Sequence, residues 1–159
     1  MSIKIKLAEK AKDVEKALND YLVIREPKKL YQAMAHIPLA GGKRLRPVMA
    51  QLTCEMVGGN GKKAIPFAAA LEVIHNFTLV HDDVMDDDDL RHGVSACHTV
   101  YGLPTAILAG DSLFAYAFEM IAESDVSHKI ITELVRHTAY TVRRIAEGQQ
   151  MDINFEDEE

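Results

Sequence analysis

The sequence predicts an all-α protein, a bundle of antiparallel helices joined by short connections. Two observations carry that prediction. Apolar residues recur at helical spacing, as in Ile3, Leu7, Val14, Leu18, Tyr21 and Leu22 among lysines and acids. Glycine and proline punctuate the long apolar stretches, and no segment sustains the alternation of a strand. At 159 residues the chain suits a single domain with a sizeable core. Its apolar share of 48% argues against disorder.

Taken in order, the first amphipathic helix ends near Pro27, and a short second one runs from Lys28 to Ile37, stopped by Pro38. Ala40 to Pro47 (AGGKRLRP) reads as a basic turn opened by glycines, and Val48 to Val57 as a third helix closed by Gly58-Gly59-Asn60-Gly61. The central helix spans Ile65 to Met85, followed by an Asp-rich loop to Gly93. Val94 to Tyr101 reads as a short helix. Thr105 to Ala122 reads as an apolar helix interrupted at Gly110-Asp111. A long helix runs from Val126 to Asp152, and Asn154 to Glu159 form an acidic, frayed end.

Composition excludes several functions. A net charge of −6 offers no basic excess to meet a nucleic-acid backbone. Cys54 and Cys97 lack metal-type spacing and read as core filler. Lys4, Lys6 and Glu9 interrupt any signal-like apolar run. The most apolar window, Ala64 to Val80, holds Pro66, Glu72, His75 and Asn76, so no membrane span is expected there. A soluble cytoplasmic protein is the expectation.

The charged residues are unevenly placed. Six aspartates fall between Asp82 and Asp89, at the end of the apolar central helix. On a helical wheel Asp82 and Asp86 each lie about 20° from His75, so one stripe carries an imidazole and then, roughly 10 Å on, two carboxylates. Like charges at i and i+4 destabilise a helix unless a cation offsets them. Hard oxygen ligands so spaced suit Mg²⁺, which takes one or two carboxylates plus substrate phosphates. Asp87 to Asp89 read as solvated acids. A calcium loop fails on spacing, with no glycine at the sixth position and no glutamate at the twelfth. Lys43, Arg44 and Arg46, on a flexible turn opening a helix, form a plausible phosphate cradle. Cations for one phosphate group and carboxylates for metals on another describe a site for two diphosphates.

GGKRLRP, then H-x-x-x-L-x-H-D-D-x-x-D, then L-R-x-G, resembles the trans-isoprenyl diphosphate synthase (polyprenyl synthetase) family. The resemblance extends through Gly110-Asp111 to Gly148-Gln149-x-x-Asp152. DDxxD alone is shared with terpene cyclases, which lack the GGKxxRP turn. The resemblance implies an isoprenoid synthase bundle, of which residues 1–159 would be the N-terminal part, apparently truncated. It implies that Asp82 and Asp86, with Asp83 supporting, bridge Mg²⁺ (or Mn²⁺) to an allylic diphosphate that Arg91 also contacts. Lys43, Arg46 and His75 would hold isopentenyl diphosphate, with Gly42 shaping the turn. Gln149 and Asp152 would add contacts to the allylic site and its metals. The implied reaction breaks the allylic C–O bond, joins the cation to the isopentenyl double bond, and passes the released proton to the departed diphosphate.

Two departures from the family pattern carry expectations. His92 stands where a second arginine is usual, and an imidazole lacks both a fixed charge and the guanidinium fork. The family's second Asp-rich motif is absent, so the chain alone is expected to be inactive. A non-catalytic subunit or fragment that binds diphosphate and metal is the alternative. Bulk at Phe77, with Thr78 beside it, implies short products of the geranylgeranyl or farnesyl class. The resemblance also implies a homodimer, built on the apolar helices after Gly102, where Ile107, Leu108, Leu113, Phe114, Tyr116, Ala117 and Phe118 supply more apolar surface than one face needs. His36, His98, His128 and His137 read as ordinary packing or surface residues. His81, about 100° from Asp82 on the wheel, does too. Asp111, inside an apolar helix, is expected to be buried with a partner in a structural role.

Overall fold

The computed structural model describes residues 2–156. Its elements are α1 (Ile3–Tyr21), α2 (Lys28–Leu39), α3 (Leu45–Met56), α4 (Ile65–Met85), β1 (Leu90–Arg91), β2 (Val94–Ser95), α5 (Cys97–Tyr101), α6 (Leu103–Ala122) and α7 (His128–Glu156). The chain divides into two units, one ending at Ser124 and one beginning at Asp125.

In the first unit, α4 is the central element. It packs most extensively along α6, and α1, α2, α3 and α5 also lie against it. Small residues allow that close approach: Ala68, Ala69 and Ala70 of α4, and Ala106, Ala109 and Ala117 of α6, are fully buried. Larger side chains fill the remaining space, among them Val14, Leu18, Leu113, Met120 and Ile121. The helix α6 meets the length and hydropathy of a membrane span, as core helices also do. Here it lies along α4 as part of the core.

The central helix runs as its periodicity predicts, and its end has a definite geometry. The Asp86 N–H donates to the Asp82 carbonyl (2.8 Å), Asp87 turns left-handed at φ 55°, and the Asp88 N–H reaches back to the Asp83 carbonyl (3.0 Å). This is a Schellman terminus with aspartate in the usual glycine place, a backbone state that Asp tolerates better than most residues.

Other boundaries differ from expectation. Pro38 lies inside α2, whose last turn extends to Leu39. The helix α3 begins at Leu45, so Arg46 and Pro47 belong to its first turn, where a missing proline N–H costs nothing. Gly110 and Asp111 do not interrupt α6. Residues 154–156 continue α7, and the remainder of the expected frayed end lies outside the described residues. A small antiparallel hairpin replaces part of the Asp-rich loop, pairing Leu90 with Ser95 and Arg91 with Val94. Its two-residue turn, His92-Gly93, has φ of 54° and 81°. Positive φ at both turn residues is what a type I′ hairpin turn requires.

The second unit is α7, amphipathic and 29 residues long. Arg136 pairs with Glu133, and Arg143 and Arg144 both pair with Glu147. Ile130, Tyr140, Ile145 and Phe155 are exposed along it.

Candidate diphosphate and metal site

An open cavity of about 480 Å³ lies where the turn between α2 and α3 faces α4. Ala40 to Arg46 form one wall, Glu72, His75 and Asn76 of α4 another, and His92 from the hairpin turn a third. Gly41 and Gly42 adopt φ of 113° and 141°, a region that strains any residue with a Cβ. A Cβ on Gly42 would still meet only ordinary contacts, so backbone freedom is what this glycine supplies. Lys43 and Arg46 are exposed, and His75 is half-buried. Burial, and then the Arg46 charge, hold the His75 pKa below its ordinary value, with Glu72 opposing and His92 and Arg91 adding to the depression.

One of the three expected cradle cations is not available to a ligand. Arg44 points inward, 4% exposed, and its guanidinium donates to Glu72 Oε1 (2.8 Å) and to the Pro38 carbonyl (2.7 Å). It adopts φ 51°, a left-handed turn, and is buried where its neighbours Lys43 and Leu45 are exposed. The sequence reading passed over Glu72 and Asn76, both buried in the cavity wall. The signal was there: a glutamate one turn before His75, within the most apolar window of the chain.

The acidic cluster separates into distinct roles. Asp82 is half-buried and Asp86 exposed, one turn apart. Burial raises the Asp82 pKa, and the Asp86 charge raises it further. Asp83 is fully buried. It accepts from Arg91 Nε at 2.6 Å, and Arg91 also reaches Asp88 at 3.3 Å. The second oxygen, Asp83 Oδ2, has no partner among the described residues. Asp83 thus fixes the hairpin that carries Arg91 and His92.

Asp82 and Asp86 fit a hard divalent cation in charge and donor type. Two anionic groups sit at the C-terminal end of a helix, where the helix dipole also disfavours negative charge. Among the described residues no three His, Cys, Asp or Glu side chains converge to hold a metal unaided.

The remaining expected residues lie as follows. Thr78 donates to the His75 carbonyl at 2.8 Å. Phe77 packs sideways toward α6, its ring 5.2 Å from that of Phe114, which in turn meets Phe118 edge-to-face. Gln149 and Asp152 lie one turn apart on α7. Asp111 is not buried: its side chain is 64% exposed, 3.7 Å from His81 Nε2. The α6 helix turns that carboxylate to solvent, so it needs no buried partner. Gly110 beside it is the tight position, for a Cβ there would fall far inside contact distance of the His81 ring.

Known proteins match this arrangement. The polyprenyl synthetase family model matches residues 27–159. A geranylgeranyl pyrophosphate synthase of Geoglobus acetivorans is 48% identical over 151 residues, covering 95% of this chain and 47% of that protein. A geranylgeranyl diphosphate synthase of Methanosarcina mazei is 38% identical over 156 residues, covering 98% and 48%. The crystal structure of a geranylgeranyl pyrophosphate synthetase from Pyrococcus horikoshii superposes with a TM-score of 0.93 at 39% identity, covering 96% of this chain and 47% of that one. The chain spans about half the length of the relatives it matches. The family match over residues 27–159, with relatives up to 48% identical and superposing folds, shows that the chain belongs to the polyprenyl synthetase family.

Proposed function

We propose that this site serves prenyl transfer, in which an allylic diphosphate gives its prenyl group to isopentenyl diphosphate and an all-trans chain grows. The observation that supports it is the polarity of α4. His75 faces a cavity shared with Lys43, Arg46 and His92, and two turns onward the same helix ends in Asp82 and Asp86. Two substrates, each bearing a diphosphate, call for such paired recognition.

In this reading Lys43, Arg46, His75 and His92 hold the diphosphate of isopentenyl diphosphate, and Gly42 lets the backbone approach it. Asp82 and Asp86 hold Mg²⁺ or Mn²⁺, which when bound acts as a Lewis acid on the allylic diphosphate. Asp83 keeps Arg91 beside that same diphosphate. The relatives named geranylgeranyl synthases support a short product. Phe77, five residues and about 7.5 Å along α4 from Asp82, is the bulky side chain expected to limit the product to about C15 to C20. The protein acts as a cytoplasmic homodimer in this reading.

The test is turnover. Given an allylic diphosphate, isopentenyl diphosphate and Mg²⁺, this chain alone is expected to yield no longer prenyl diphosphate. Its 159 residues hold the Asp82–Asp86 motif but not the second Asp-rich motif that the family resemblance leads one to expect. Joined to the remaining length its relatives carry, it is expected to elongate. There Asp82→Ala or Asp86→Ala should lower kcat by orders of magnitude, the loss expected when transition-state charge goes unstabilised. Near-normal turnover in either variant overturns the assignment. Elongation by the chain alone would overturn its expected inactivity. If the lengthened protein bound diphosphate and Mg²⁺ without elongating, the non-catalytic subunit would be the better reading.

A further inference from the structure

We propose that Arg44 is a positioning residue of the anion cavity, its buried guanidinium cancelling the charge of Glu72 in the cavity wall and tying the glycine turn to α4. The inference rests on the reading of this cavity as a diphosphate site.

Glu72 is the one acid lining a cavity whose other ionisable side chains are Lys43, Arg44, Arg46, His75 and His92. A carboxylate there opposes an incoming anion unless a cation neutralises it. Arg44 does so at 2.8 Å, with the two side chains only 3% and 8% exposed. Little water screens the pair, so the local field depends on whether the partner is present. A guanidinium keeps its charge at every physiological pH, so the cancellation is permanent.

The same group also sets geometry. Its second arm bonds the Pro38 carbonyl at 2.7 Å, so one side chain joins the end of α2 to the middle of α4. The segment it spans is Gly41, Gly42 and Lys43, two of whose three residues are conformationally free glycines. With Arg44 turned inward, Lys43 and Arg46 on either side stay exposed at the cavity. Arg44 Nε, buried, has no partner among the described residues. The guanidinium is therefore held by two of its three nitrogens, both turned to protein oxygens.

Calorimetric titration of the chain with inorganic diphosphate, without metal, tests the proposal, and circular dichroism reports the fold. Arg44→Met should weaken binding at least tenfold, because Glu72 then faces the anion unpaired. Glu72→Gln keeps an oxygen acceptor for Arg44 but removes the negative charge, so binding should tighten several-fold. The double variant Arg44→Met/Glu72→Met removes the unpaired charge but also the tie to Pro38, so it should bind several-fold better than Arg44→Met and still below the parent. An arginine acting only through the turn would leave it as weak as Arg44→Met. Should Arg44→Met fail to fold, the double variant, which leaves no buried charge, and Glu72→Gln, in which Arg44 keeps a neutral oxygen acceptor, still decide. Parent-like affinity in Arg44→Met, or weaker binding in Glu72→Gln, overturns the proposal while leaving the diphosphate site intact. No binding by the parent chain removes the diphosphate reading and this inference with it.

Discussion

Cys97 stands at the start of α5 with no exposed surface, its thiol directed at the Ala33 carbonyl 3.7 Å away. Burial, and secondarily the Asp83 charge, push its pKa up to about 11. At pH 8 only about one thiol in a thousand is then ionised, and the thiolate is the reactive form. We expect an aromatic disulfide reagent at pH 8 to label Cys54, which is half-buried, and to reach Cys97 only after denaturation. Equal rates for both thiols in the folded chain would contradict the burial. At this scale the sequence was partly legible. Which residue types line the site could be read from Gly42, Lys43, His75 and the aspartates. Which way each side chain points could not, because Arg44 and Asp87 depend on left-handed backbone turns that leave little trace in a pattern of spacings. Asp111 shows the same limit: an acid in an apolar helix reads as buried until the helix is docked.

The contact of α4 with α6 is where side-chain detail becomes element geometry. The His81 ring sits over Gly110, with Nε2 3.2 Å from the Ile107 carbonyl, and Phe77 meets it edge-on. Gly110→Ala would place a methyl group inside the ring, so the helices must part or the ring must leave its carbonyl. A loss of about 1–3 kcal/mol is expected, as for other overpacked sites. Urea denaturation measures it, with Gly148→Ala as the contrast. Gly148 has open space around its Cβ position, and alanine there should stabilise the helix by about 0.5–1 kcal/mol. A neutral Gly110→Ala would mean the seat is not tight. Phe77→Ala removes one ring of the Phe77–Phe114–Phe118 aromatic cluster. In the enzyme of family length it should lengthen the prenyl product, read by chromatography after dephosphorylation. An unchanged product would confine Phe77 to packing. The long helices were legible because their apolar periodicity extends over many turns. The hairpin at Leu90–Ser95 was not, since strands of two residues show no alternation and only His92-Gly93 marks the turn.

For the whole molecule, the expected homodimer face becomes narrower once the fold is known. Of the apolar residues after Gly102, Leu113 and Ala117 lie in the core, and Phe114 and Phe118 meet edge-to-face. The Tyr116 hydroxyl donates to the Tyr21 carbonyl at 2.8 Å. Leu103, Ile107 and Leu108 remain exposed, at 51%, 42% and 56%, on the N-terminal half of α6. Fully burying one such side chain contributes about 1.5–3 kcal/mol, so three of them, met by the same three from a second copy, form an adequate centre for a larger interface. Sedimentation velocity at micromolar concentration should therefore give a dimer. The double substitution Ile107→Lys/Leu108→Glu should shift it to monomer. The melting temperature of the isolated chain should move little, because neither side chain belongs to the buried core. A parent chain that sediments as a monomer, or a double variant that stays dimeric, would take this face out of the assembly.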